Sequence, residues 1–92
     1  MLFAVKMDVK LPADMDPDVR ADLLAREREY SQRVQSSGVW PHLWRIAGQY
    51  SNLSVLDVEG NQHLHDILSQ LPLFPYMDIE VTPLAQHPNS LA

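Results

Sequence analysis

The amino-acid sequence predicts an α+β fold, a four-stranded antiparallel sheet with two helices on one face. Three observations predict it. The chain opens with a period-two alternation, Phe3, Val5, Met7, Val9 and Leu11 against Ala4, Lys6, Asp8 and Lys10. Two segments with apolar residues at helical spacing follow, separated by a pair of strand-like runs. A final alternating run, Met77, Ile79 and Val81 against Asp78 and Glu80, closes the order as β-α-β-β-α-β. That order defines the split-βαβ, ferredoxin-like arrangement.

Each element has its own signal. The opening alternation commits one face of a strand to a core, and Pro12 ends it. Asp16-Pro17 marks a helix start: a carboxylate can accept from the free backbone N–H groups, and proline suits the first helical position. This helix extends to Ser36 or Ser37, with Gly38 as a left-handed stop and Val19, Leu23, Tyr30 and Val34 as its buried stripe. The runs Trp40–Ile46 and Leu53–Val58 flank Ala47-Gly48 and Ser51-Asn52, which reads as a hairpin with a longer loop. Pro41 cannot donate to a ladder, so the first of these strands belongs at an edge. Asn61 is a candidate cap for a second helix ending near Leu71, with Leu64, Ile67, Leu68 and Leu71 on its stripe. Pro72 and Pro75 separate it from a last strand over Met77–Thr82, and a tail begins at about residue 83.

Residues 1–92 thus read as one domain, too short to bury more than about two-thirds of its unfolded surface. Half of such a sheet, the face without helices, is left uncovered, and a second subunit is the natural cover. The expectation is a homo-oligomer. Cysteine is absent, which excludes disulfides and thiolate zinc sites. A net charge of −5 gives no basic face for phosphates, so nucleic acid is not an expected partner. MLFAVKMDVK has charges among its apolar residues and resembles neither a signal peptide nor a membrane span; the expected setting is the cytoplasm.

Glu27 stands out among residues that could carry chemistry. Steps of about 100° from Val19 place it inside the arc of the apolar stripe. A carboxylate there faces the sheet, and burial without a cation raises its pKa towards the range useful to a general base. The same position also fits a carboxylate bent to the helix flank and paired with Arg28 or Arg20. Arg45 lies between Trp44 and Ile46 and could grip a ligand carboxylate with two parallel hydrogen bonds, or simply face water. Trp40, His42 and Trp44 are expected on one face of their strand, where they could wall a flat ligand or form a core or interface. Tyr50 could donate its hydroxyl to an oxyanion, and His65, at the margin of the second stripe, could be a polar member of a pocket. His63 and His65 are two apart on a helix and cannot share a metal, which needs i, i+4 spacing, so the histidines do not make a metal site.

Three segments carry a resemblance to a known family: MLFAVKMDVKLPADMDP, HLWRIAGQYSN with SVLDV, and LHDILSQLPLFPYMDIEV with HP downstream. Over nearly its full length the chain resembles muconolactone Δ-isomerases. The resemblance implies a ferredoxin-like subunit in a large homo-oligomer, typically a decamer, that works without metal or cofactor. It implies conversion of muconolactone to 3-oxoadipate enol-lactone in the β-ketoadipate pathway of aromatic catabolism. It places Glu27 at the family's acid–base position, with Tyr50 and His65 as candidates to polarise the carbonyl. Arg45, beside Trp44 and His42, is the candidate to hold the carboxymethyl group. Position 4 is often histidine in the family and position 24 lysine; here they are Ala4 and Leu24. The loss of a cation one helical turn before Glu27 bears on which lactone is preferred.

Two other readings fit the same residues. A chloromuconolactone dehalogenase would use the same base and expel chloride. A non-catalytic ferredoxin-like interaction module would leave Glu27 in solvent and fill the space beneath the first helix with side chains.

Overall fold

In the computed structural model, which describes residues 1–91, strand β1 (Leu2–Val9) leads into helix α1 (Pro17–Ser36). Strands β2 (His42–Arg45) and β3 (Ser51–Asp57) follow, then helix α2 (Asn61–Ser69), a 3-10 turn (Phe74–Tyr76) and strand β4 (Met77–Leu84). The sheet order is β2-β3-β1-β4 and every pairing is antiparallel. This is the ferredoxin-like α+β arrangement, with β2 and β4 at the edges. Pro41 falls just before β2, where its missing N–H costs no ladder bond.

The alternation in β1 has its expected consequence. Phe3, Val5 and Met7 are buried beneath the helices, together with Leu56 of β3 and Leu64, Ile67, Leu68 and Leu71 from the α2 stripe. Tyr30 fastens the two helices together by donating its hydroxyl to the Ile67 carbonyl at 2.8 Å. Asp16 caps α1 by accepting from the backbone N–H groups of Asp18 (2.8 Å) and Val19 (3.2 Å). Gly38, at φ +89°, turns the chain out of α1, and Gly48, at φ +77°, closes the β2–β3 hairpin; both lie in the left-handed region that favours glycine.

Several expectations need correction. Val19 is 56 % exposed and does not belong to the α1 stripe: the first turn overhangs the sheet, and burial begins at Leu23. Asn61 is the first residue of α2 rather than its cap, because Gly60 occupies the capping position without a side-chain bond. The helix stops at Ser69, two residues before the end of its apolar stripe, and Leu71 is carried into the core by the turn that follows. The strand expected over Trp40–Ile46 is only His42–Arg45, while β3 starts two residues earlier than expected and β4 runs on to Leu84.

Shortening β2 has a structural effect. Trp40 lies before Pro41 and outside the ladder, so it does not share a face with His42 and Trp44. It is 3 % exposed and joins the core. His42 and Trp44 stack on each other at 4.8 Å, on the sheet face away from the helices. That face also presents Leu2, Leu53 and Leu84, all exposed.

Candidate active site

Between α1 and the sheet lies a cavity of about 480 Å³, within the range usual for small-molecule sites. It exists because the interior is filled unevenly. The large apolar side chains of α2 pack one part of the sheet. Beneath α1 the helix contributes mostly polar side chains, Glu27, Ser31 and Gln35 at i, i+4, i+8 with Arg28, Gln32 and Leu24 beside them, and β3 contributes only Ser51 and Asn52. The floor is apolar, with Met7 and Val9 of β1, Met77 of β4 and Trp40. Leu43 and Arg45 of β2, with Tyr50 from the hairpin, form the far wall.

Glu27 is partly buried in this cavity. Its Oε1 accepts the backbone N–H of Leu73 at 2.9 Å, so the segment between α2 and β4 holds the carboxyl group in place. Burial pushes its pKa above the ordinary glutamate value, and the Leu73 N–H pulls it partway back. The alternative geometry, an ion pair with Arg20 or Arg28, does not occur: the salt bridges among the described residues are Met1–Asp57, Lys10–Asp78 and Arg26–Asp22. Tyr30, one turn further along α1, also has a raised pKa. Burial is the main cause; Arg33 lowers it and Glu27 raises it.

The structure brings Glu27, Arg45 and Tyr50 together around one space. The Arg45 guanidinium lies over the Tyr50 ring, 5.2 Å from its centre, and donates a long hydrogen bond (3.4 Å) to the Gln49 carbonyl. His42, Trp44 and His65 are elsewhere. His42 and Trp44 alternate with Leu43 and Arg45 along β2, so they point to the opposite face of the sheet. His65 is exposed on α2, off the buried stripe, and lines no part of the cavity. These three are therefore removed from the cavity within this chain.

Three features of the site go beyond the sequence reading. The polar run Glu27, Ser31, Gln35 has a legible signal, four-residue spacing along the helix. Trp40 was grouped with Trp44 by strand parity, yet it lines the cavity and its Nε1 is buried without a hydrogen-bond partner among the described residues. The Leu73 N–H has no sequence signal, because any residue but proline supplies one.

A ferredoxin-like domain with one tethered, partly desolvated carboxylate beneath its first helix belongs to the class of proteins built around a small-molecule cavity. Comparison with known proteins narrows the class. The family model described as muconolactone delta-isomerase matches residues 1–90. The chain is 59 % identical over 91 residues to the muconolactone Delta-isomerase of Pseudomonas putida, covering 99 % of this chain and 95 % of the relative. It is 58 % identical over 86 residues to that of Rhodococcus opacus, covering 94 % and 92 %. A crystal structure of muconolactone isomerase superimposes with a TM-score of 0.95 at 61 % identity, covering all of this chain and 96 % of the other. The chain belongs to the muconolactone delta-isomerase family.

Proposed function

We propose that this protein isomerises muconolactone to 3-oxoadipate enol-lactone, with Glu27 moving the proton. The observation that carries the reading is Glu27 itself, partly buried, free of a cation and tethered by one oxygen in a ligand-sized cavity. The interaction-module reading requires a solvent-exposed Glu27 over a filled interior, and neither feature is present.

The reaction moves a proton between two carbons of a five-membered unsaturated lactone. A base takes the ring proton at the carbon beside the ring oxygen, and the electrons spread through the double bond to the carbonyl as a dienolate. The proton returns at the carbon next to the carbonyl, leaving the double bond shifted. One carboxyl group can serve both steps, because deprotonation converts it into the acid needed for the second. With Oε1 fixed by the Leu73 N–H, Oε2 is the oxygen that carries the proton. The raised pKa helps: an ordinary carboxylate is too weak a base for a carbon acid, whereas a partly desolvated one shares its proton more evenly with the substrate.

The dienolate oxygen needs a donor. The Tyr50 hydroxyl is the candidate from sequence that lines the cavity, and the buried indole N–H of Trp40 is a second group there without an acceptor. The carboxymethyl group of the substrate needs a cation, and Arg45 is the candidate from sequence. The subunit is also proposed to work as a homo-oligomer in the cytoplasm, with the open sheet face covered by other subunits. None of the described helices is long and apolar enough to cross a membrane.

Proton NMR of the purified protein with muconolactone tests the reading. The expected result is loss of the starting vinylic signals, appearance of the enol-lactone and no chloride release from a chlorinated analogue faster than isomerisation. Dehalogenation as the dominant turnover would replace this function with its chlorolactone counterpart.

A further inference from the structure

Two cations line the cavity, Arg28 from α1 and Arg45 from β2, and they are not equivalent. Arg45 is already engaged, over the Tyr50 ring and on the Gln49 carbonyl. Other basic side chains are also committed: Lys10 to Asp78, Arg26 to Asp22 and Arg33 to the Tyr30 ring. The Arg28 side chain makes no ion pair, hydrogen bond or ring contact among the described residues, although it adjoins Glu27 in sequence and both line the same cavity.

We propose that Arg28 is the specificity-determining residue that binds the carboxylate of the ligand, leaving Arg45 to position Tyr50. The proposal rests on the isomerase reading and deepens it. A lactone bearing a carboxylate brings a second negative charge close to Glu27. Without a cation, that charge would repel the ionised base and oppose its formation. A guanidinium on a regular helix, one residue beyond the base, is placed by the same backbone that places the base. It has its donors unspent and can take a carboxylate through two parallel hydrogen bonds. The cation sits where Leu24, one turn earlier, offers none. This arrangement separates recognition from chemistry: Arg28 reads the side chain of the ligand and Glu27 works on its ring.

The test pairs variants with ligands that differ only in the carboxylate. The substrates are muconolactone and its neutral counterpart carrying methyl in place of carboxymethyl. The binding probes are the saturated forms of both lactones, which cannot isomerise. Wild-type protein should bind the saturated acid better than the saturated neutral lactone. Arg28→Ala should reduce that preference by roughly tenfold or more, as loss of a charge-assisted contact does, and should raise KM for muconolactone more than it lowers kcat. Arg28→Lys should recover part of the preference, and Arg45→Ala should leave more of it than Arg28→Ala does. An Arg28→Ala protein that binds the saturated acid as tightly as wild type overturns the proposal. So does a preference abolished by Arg45→Ala alone. Failure of the isomerase reading would look different: wild type would bind the saturated acid through Arg28 and yet leave muconolactone unchanged.

Discussion

At Glu27 two effects oppose each other, and their balance makes a testable link between activity and stability. Burial disfavours the ionised carboxylate, while the Leu73 N–H favours it; the net pKa is raised. In the proposed mechanism the base form is the active one, so kcat/KM should rise with pH along an acidic limb lying above the ordinary glutamate range. The same shift bears on folding. A carboxyl group whose folded pKa exceeds its unfolded value holds its proton longer in the native state. Stability is then fully present below the unfolded pKa and declines as pH rises through the folded one. Glu27→Gln cannot ionise and keeps an oxygen for the Leu73 N–H. It should melt above wild type near neutral pH, and the gain should vanish below the ordinary glutamate pKa. Thermal melts of both proteins across that range provide the check; a variant less stable than wild type at neutral pH would mean that burial does not strain this carboxylate.

At the scale of elements, α1 and the segment after α2 decide where the Glu27 carboxylate sits. Helix α1 supplies Glu27, Arg28, Ser31 and Gln35, and the Asp16 cap secures its first turn at a distance from the cavity. Asp16→Ala should therefore cost about 0.5–2 kcal/mol of stability in a denaturant titration. Turnover per folded molecule should stay near wild type, because Asp16 touches no part of the site. A large fall in turnover with unchanged stability would show that the cap governs the cavity directly. The helices and strands were legible in the sequence because periodicity is a local property: the β1 alternation, the Asp16-Pro17 start, Gly38 and the α2 stripe all lie where they were read. Glu27 was legible for the same reason, as a carboxylate in the wrong place on a helical wheel. What parity could not reveal was where the β2 ladder begins. Pro41 and the turn before it break the count, so Trp40 was read with Trp44 and His42 when it lies on the other side of the sheet. His65 failed differently. Its angle on α2 was close to the stripe, but α2 packs over the filled part of the sheet, and only tertiary structure shows that the cavity lies under the other helix.

The whole molecule has one face covered by helices and one that is not. Leu2, Leu53, Leu84 and Trp44 are exposed on that open face, in a domain whose own core is small. Native mass spectrometry at micromolar concentration should find an assembly of more than two subunits; a monomer would mean that this face is stable in water. A charged residue at Leu53 should weaken the assembly more than one at exposed Val19, which lies on the helix side. The central claim remains the proton transfer at Glu27, and its most direct test is the turnover of muconolactone by Glu27→Gln, followed by proton NMR with folding verified by circular dichroism. The account predicts a folded protein whose kcat is lower by roughly 10² to 10⁴ or more, the scale of general acid–base catalysis. A folded Glu27→Gln protein that isomerises muconolactone at close to the wild-type rate would contradict it.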